Sequence, residues 1–178
     1  PEWITDWVHF WSSNGAFRIP VDGGPVEETG PYDSARTADI TSDGEFVYWP
    51  YQSSVIKYSD ATASYEELPM RFSTLTDLRI AVSDDAIYLA QATCSAVLAL
   101  DKQGRELWLR EIPEHGPSGS AADLAADNDH VYCAFGDSVF RISADGQHHE
   151  AIATGGDSLN ALALGEGRVY YAEGHASY

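Results

Sequence analysis

Basic residues are scarce: 10 Lys and Arg stand against 28 Asp and Glu, a formal net charge of −18 with neutral His. Such a surface repels phosphate backbones and anionic headgroups, so neither nucleic acid nor a membrane surface is an expected partner. Cysteine is nearly absent. Cys94 and Cys133 alone, with no C-x-x-C, exclude both a disulfide-dense mini-domain and a cysteine-based zinc site. No apolar run approaches the roughly 18 residues of a membrane span, so membrane insertion is not expected. The opening Pro1-Glu2-Trp3-Ile4 has neither a basic n-region nor an apolar h-region, and any targeting signal is expected to have been removed. Charged residues, at 21%, are too few for a coiled coil or helical bundle. Also missing are G-x-x-x-x-G-K-S/T, a strand-borne G-x-G-x-x-G, G-x-S-x-G, H-E-x-x-H and any N-x-S/T sequon.

What the chain has is apolar and aromatic content: 44% hydrophobic residues, with 5 Trp, 10 Tyr and 6 Phe in 178 residues, enough for a packed core. An apolar-aromatic pair recurs as Val8-His9, Val47-Tyr48, Ile87-Tyr88, Val131-Tyr132 and Val169-Tyr170, at spacings of 39, 40, 44 and 38 residues. Seven residues before the last four pairs stand Ile40, Ile80, Leu124 and Leu162, and five before them Ser42, Val82, Ala126 and Leu164, an alternation of period two. Short acidic or glycine turns separate the two runs, as in Ser42-Asp43-Gly44-Glu45 and Asp127-Asn128-Asp129. Each copy thus opens as a hairpin. A third run follows in four copies (Phe17-Arg18-Ile19, Ile56-Lys57-Tyr58, Leu98-Ala99-Leu100, Phe140-Arg141-Ile142), then a turn carrying Gly23, Thr62, Gly104 or Gly146, then a fourth run. The stretch 113–123 is expected to be a loop.

Four short strands repeated every forty or so residues are the signature of β-propeller blades, whose sheets bury both faces against their neighbours. The expected fold is an all-β propeller of four-stranded antiparallel blades at 1–36, 37–75, 76–119 and 120–157, plus a half blade at 158–178. An open stack leaves apolar sheet faces and a strand edge in water, so self-association or further blades are needed to close the ring.

Two segments extend this to a family resemblance. Phe46-Val47-Tyr48-Trp49 after Ile40-Thr41-Ser42-Asp43-Gly44, with Phe17-Arg18-Ile19-Pro20-Val21-Asp22-Gly23-Gly24, resembles the YWTD-like propeller repeat of bacterial secreted or surface proteins. The third copy, Ile87-Tyr88-Leu89 through Leu98-Ala99-Leu100-Asp101 to Gly104 and Leu107-Trp108, resembles the PQQ-like repeat. His9 in place of Tyr and Cys133 in place of Trp are departures from the pattern. The resemblance implies a propeller and an extracellular, periplasmic or cell-surface setting. It does not choose a function, because both repeat types serve enzymes, assembly factors and receptors.

In a propeller, the turns joining strands one to two and three to four share one face, and the other connections share the opposite face. On the first face fall Asp6, Asp43, Glu45, Asp84, Asp85, Asp127, Asp129 and Glu166, with Asp22, Asp60, Asp101 and Asp145. They read either as a cation or basic-partner surface or, more simply, as turn-forming residues whose carboxylates bond backbone N–H groups. An EF-hand is excluded at Asp127-Asn128-Asp129, because Val131 and the lack of a twelfth-position Glu break the ligand spacing. The opposite face gathers Trp11, Tyr32, Arg36, Tyr51, Arg71, His115 and His175, aromatic and polar residues mixed as a binding surface requires. His115 and His175 are the only candidates there for a metal or general base. His148 and His149 are expected to be exposed on an outer strand with side chains on opposite faces, while Tyr48, Tyr88, Tyr132 and Tyr170 are expected to pack between blades. A Cys94–Cys133 bridge and two separate thiols both stay open.

These residues lead to a non-enzymatic binding or scaffold module of an exported protein, recognising a protein, peptide or glycan through the loop face. A propeller enzyme, of metal-dependent lyase or quinone-linked dehydrogenase type, is the rival. A calcium-stabilised structural surface domain is the third reading, and no other cofactor is expected.

Overall fold

The recurring apolar-aromatic pairs all lie on strands, and the last four of those strands follow a tight hairpin from a preceding strand. The computed structural model describes residues 7–12, 15–29, 39–70, 78–91, 96–112, 121–155 and 159–173. The first sheet holds β1 (Trp7–Ser12), β2 (Gly15–Pro20) and β3 (Glu27–Glu28). The first strand expected for this copy lies outside the described residues. The second sheet runs β4 (Thr41–Ser42), β5 (Val47–Tyr51), β6 (Ser54–Ser59) and β7 (Ser64–Pro69) in sequence order. The third comprises β8 (Leu78–Val82), β9 (Ala86–Gln91), β10 (Ala96–Asp101) and β11 (Glu106–Glu111). The fourth comprises β12 (Ala121–Ala126), β13 (His130–Phe135), β14 (Ser138–Ser143) and β15 (His149–Thr154). A last pair is β16 (Leu159–Gly165) and β17 (Arg168–Glu173). All pairings are antiparallel, and no helix occurs among the described residues.

Two compact units divide the chain, Pro1–Asp77 and Leu78–Tyr178. Within the first, Ala16 of β2 packs on Val47, Trp49, Ile56 and Tyr58 of the second sheet. Within the second, Tyr88, Ala90, Val97 and Ala99 meet Val131, Cys133, Phe135, Phe140 and Ile142, so the third and fourth sheets lie face to face. The opposite face of the fourth sheet meets the last pair through Ala134, Val139 and Leu159. Strand β12 lies beside both β8 and β16, so the first strands of successive sheets are neighbours. Burial on both faces explains the unbroken apolar runs: every residue of β9 is buried, and each large side chain such as Ile87 or Leu89 contributes roughly 1.5–3 kcal/mol.

Three expectations need correction. Residues 121–123 are not loop but the start of β12, where a bulge lets Asp123 accept the Leu124 and Leu162 N–H groups. Tyr170 is 49% exposed, because the sheet face it occupies carries no covering sheet among the described residues. His149 is half-buried rather than free, with its Nδ1 held by Arg110 of the preceding sheet at 2.7 Å. The turn after β6 spans 60–63 and places Ala63 in the left-handed conformation (φ +49°).

Candidate functional site

The two ends of each sheet are built differently. At the end with the first-to-second strand turns, an acidic or hydroxyl residue closes the turn of the second, third and fourth sheets beside a buried tyrosine. Asp43 Oδ1 accepts the N–H groups of Glu45 (3.0 Å) and Phe46 (2.8 Å), while its Oδ2 accepts the Tyr48 hydroxyl at 2.8 Å. Asp127 repeats the arrangement with Asp129 (2.9 Å), His130 (2.7 Å) and Tyr132 (3.3 Å). In the third sheet Ser83 substitutes, its Oγ accepting Ala86 N–H at 3.2 Å beside the buried Tyr88. Burial, reinforced by the neighbouring carboxylates, raises the Tyr48 and Tyr132 hydroxyls above the ordinary phenol range. Tyr48, Tyr88 and Tyr132 are buried, and Tyr88 packs between the third and fourth sheets as expected.

The third-to-fourth strand turns at the same end use the same chemistry. Asp101 Oδ1 accepts Gln103 and Arg105 N–H, both at 2.9 Å, and Arg105 Nε donates to Oδ2 at 2.6 Å. Desolvation pushes the Asp101 carboxyl up, but these bonds outweigh it and hold the group below the usual carboxylate range. Asp145 is held low by Ser143 Oγ (2.6 Å) and Gln147 N–H (3.0 Å). Asp60 instead receives His9 Nε2 at 2.9 Å and Arg18 Nη1 at 2.6 Å. Asp84 and Asn128 bond reciprocally between the third and fourth sheets at 3.1 and 2.7 Å. These acids form turns and sheet-to-sheet contacts, as turn chemistry requires.

At the opposite end the second-to-third strand connections are as short as these turns, at 52–53 and 136–137. The longest intervals between described strands also fall there, from fourth strand to next first strand, at 29–40, 70–77 and 112–120. Of the sequence-predicted residues, Tyr51 closes β5 at this end, with its carbonyl accepting Ser54 Oγ at 2.8 Å and its hydroxyl accepting Gln52 Nε2 at 3.3 Å. Trp11 is the penultimate residue of β1, paired with Ala16, and nothing is described of its side chain. Tyr32, Arg36, Arg71, His115 and His175 lie outside the described residues, as does Cys94. Cys133 is a free thiol, and burial in the core pushes it well above the ordinary thiol range. Among the described residues no three His, Cys, Asp or Glu side chains gather as metal ligands.

One constellation escaped the sequence reading. His130, Arg141, Ser143, His148, His149 and Glu150 line a cleft of about 390 Å³ on the fourth sheet. Its signal is a spacing of nine: His9–Arg18–Glu27, Tyr48–Lys57–Glu66 and Tyr132–Arg141–Glu150 are each cross-strand neighbours on one sheet face.

Stacked four-stranded antiparallel sheets of this repeat define a β-propeller fold, here four blades, the first with three described strands, plus a partial one. No protein-family model and no curated protein matches the sequence. The fold itself has many solved counterparts. A streptogramin B lyase superposes with a TM-score of 0.80 at 15% identity, over 96% of this chain and 59% of that one. A catalytically inactive virginiamycin B lyase from Staphylococcus aureus with quinupristin gives 0.77 at 18% identity, over 95% and 60%. BamB from Moraxella catarrhalis gives 0.68 at 15% identity, over 94% and 52%. The chain thus spans about 60% of the length of these lyases.

Proposed function

We propose that the chain is a non-enzymatic binding or scaffold module of an exported protein, taking a protein, peptide or glycan at the long-connection ends of its blades. The observation carrying this reading is the contrast between blade ends. One end commits Asp43, Asp101, Asp127 and Asp145 to its own turns. The other holds the longest intervals between described strands, up to twelve residues at 29–40, and Tyr32, Arg36, Arg71 and His115 fall in these intervals of the sequence. Long connections are where propellers and other scaffolds place recognition, since ring area and polar groups there cost little fold stability. A shared fold with lyases and with BamB does not select among catalysis and binding.

The test is selection of ligands from a random peptide library and a glycan array on the intact chain, followed by substitution. Tyr51→Ala and Arg71→Ala are expected to weaken a selected ligand by roughly tenfold or more, while Glu45→Ala and Asp129→Ala at the turn end leave it unchanged. Equal losses at both ends, or no selected ligand, overturn the reading. A stoichiometric divalent metal or a quinone absorption band in the purified protein favours the enzyme instead.

A further inference from the structure

Three Asp–Gly steps occur in the chain, Asp22-Gly23, Asp43-Gly44 and Asp145-Gly146, each in a turn between strands. Such a step carries its own reaction. Glycine leaves its backbone nitrogen unshielded, so that nitrogen can attack the preceding aspartyl side-chain carbon when the carboxyl and the N–H are both free to meet. Three identical dipeptides therefore differ in how the fold holds those two groups.

Asp43 and Asp145 are held. Asp43 Oδ1 accepts the N–H groups of Glu45 at 3.0 Å and Phe46 at 2.8 Å, Oδ2 accepts the Tyr48 hydroxyl, and Gly44 N–H donates to Ser42 Oγ at 3.0 Å. Asp145 Oδ1 accepts Ser143 Oγ at 2.6 Å and Gln147 N–H at 3.0 Å, while Gly146 N–H donates to the Ser143 carbonyl at 2.8 Å. The Trp108 ring also lies so near Gly146 that a Cβ there would stand 2.5 Å from it. Attack at either step requires several bonds to open together.

Asp22 has no such restraint. In the turn joining β2 to β3 its carboxylate makes no hydrogen bond or ion pair among the described residues, and every residue from Val21 to Val26 is exposed. Gly23 N–H makes one bond, to the Pro20 carbonyl at 2.9 Å, and nothing lies within 4 Å of where a Gly23 Cβ would be. An exposed turn closed by a single backbone bond belongs to the low-stability end of local opening. The strands it joins add little, being paired at Phe17–Glu28 and Arg18–Glu27 alone.

We propose that Asp22-Gly23 is a self-modification site at which the folded protein forms isoaspartate. The Gly23 nitrogen bonds to Asp22 Cγ, the carboxyl hydroxyl leaves as water with the nitrogen's proton, and a succinimide closes. Water then adds to one of the two imide carbonyls. Opening at the side-chain carbonyl restores aspartate, whereas opening at the backbone carbonyl leaves the chain running through Cβ and Cγ with the α-carboxylate free. No co-reactant beyond water enters, and mass and charge end as they began. The added backbone carbon lengthens the β2–β3 turn, and the Glu27 contact with Arg18 at 2.7 Å is the first that it disturbs. The modification is independent of what the long-connection ends bind.

The test holds the intact chain at neutral pH over weeks and then cuts it with trypsin, which puts the three steps on separate peptides because Arg36, Lys57 and Arg141 lie between them. Asn14-Gly15 reaches a similar imide by losing ammonia, but it lies before Arg18 and is set apart by its gain in mass. An aspartate-specific endoproteinase cuts before aspartate and not before isoaspartate, so resistant peptide measures the product at each step. Isoaspartate is expected to build up at Asp22 roughly tenfold or more faster than at Asp43 or Asp145. In urea, where no turn is held, the three rates are expected to converge. Equal rates in the folded chain, no product at Asp22, or an unchanged ranking in urea overturns the proposal.

Discussion

The first-to-second and third-to-fourth blade contacts serve one geometric task with opposite chemistry. Arg18, lying over the Trp7 ring at 4.0 Å, and His9 hold Asp60 through charge and hydrogen bonds in a largely buried cluster. Trp108 instead covers the turn at Gly146 with its ring and uses only its indole N–H as a polar link. Ala99 takes the place of the basic residue in the cross-strand row Tyr88–Ala99–Trp108 and is fully buried there. The lesson is that the repeat conserves a place for contact, not the contact's chemistry. A cluster of charges fails by leaving partners unpaired, whereas an aromatic lid fails by losing its fit.

The sharpest way to separate the two is to remove the centre of each. Asp60→Ala deprives Arg18 and His9 of their shared acceptor, and a loss of about 3 kcal/mol from the first unit is expected in urea unfolding. A change below about 0.5 kcal/mol would show that the charges are already solvated. On the aromatic side, Gly146→Ala places a Cβ within 2.5 Å of the Trp108 ring at a residue with φ +71°. The combined clash and left-handed strain are expected to cost about 2 kcal/mol in the second unit. Trp108→Ala in the same chain should remove the clash part of that penalty and leave the strain.

Alkaline titration extends the comparison to the cores. Burial pushes Cys133 up in the second unit, and burial raises Tyr48 in the first unit and Tyr88 and Tyr132 in the second. A folded-state value above the unfolded one means stability is fully present below the unfolded pKa and lost as pH rises beyond it. The second unit is therefore expected to weaken from about pH 8.5, where an unfolded thiol ionises, and both units from about pH 10. At pH 10 the thiol part amounts to about 2 kcal/mol, and Cys133→Ala should abolish it while leaving the phenolic part. Melting curves from pH 7 to 10.5 measure both limbs.

How far the sequence reached is visible in particular residues. The pairs at Val8, Val47, Ile87, Val131 and Val169 mark β1, β5, β9, β13 and β17, because period-two alternation and turn acids are local properties. The turn roles of Asp43 and Asp127 were legible for the same reason. What stayed hidden depends on which sheet faces which: the Arg110–His149 bond joins residues 39 apart, and no local pattern pairs them. The nine-residue spacing of the Arg18 row was present in the sequence but gains meaning only once Arg18 is seen to hold Asp60.

Smaller changes test the turns that position these contacts. Tyr48→Phe removes the hydroxyl that Asp43 accepts while keeping the buried ring, and a cost of about 1 kcal/mol is expected. Tyr88→Phe, next to Ser83 in place of an aspartate, should cost no more, so a larger loss there would break the equivalence of the two turns.

The smallest expected effect is a gain. Ala63 sits at φ +49° in the turn that delivers Asp60 to Arg18, where the third and fourth blades use Gly104 and Gly146 at φ +81° and +71°. A left-handed alanine carries a Cβ clash that glycine lacks, while glycine surrenders more unfolded-state entropy. Ala63 is exposed, so no packing is lost on truncation. Ala63→Gly is therefore expected to stabilise the first unit by roughly 0.5 kcal/mol. Repeating the change in the Asp60→Ala background tells whether the gain belongs to the turn alone. An undiminished gain places it there, and a gain that vanishes shows that the Arg18 contact, not local strain, sets the conformation of the turn.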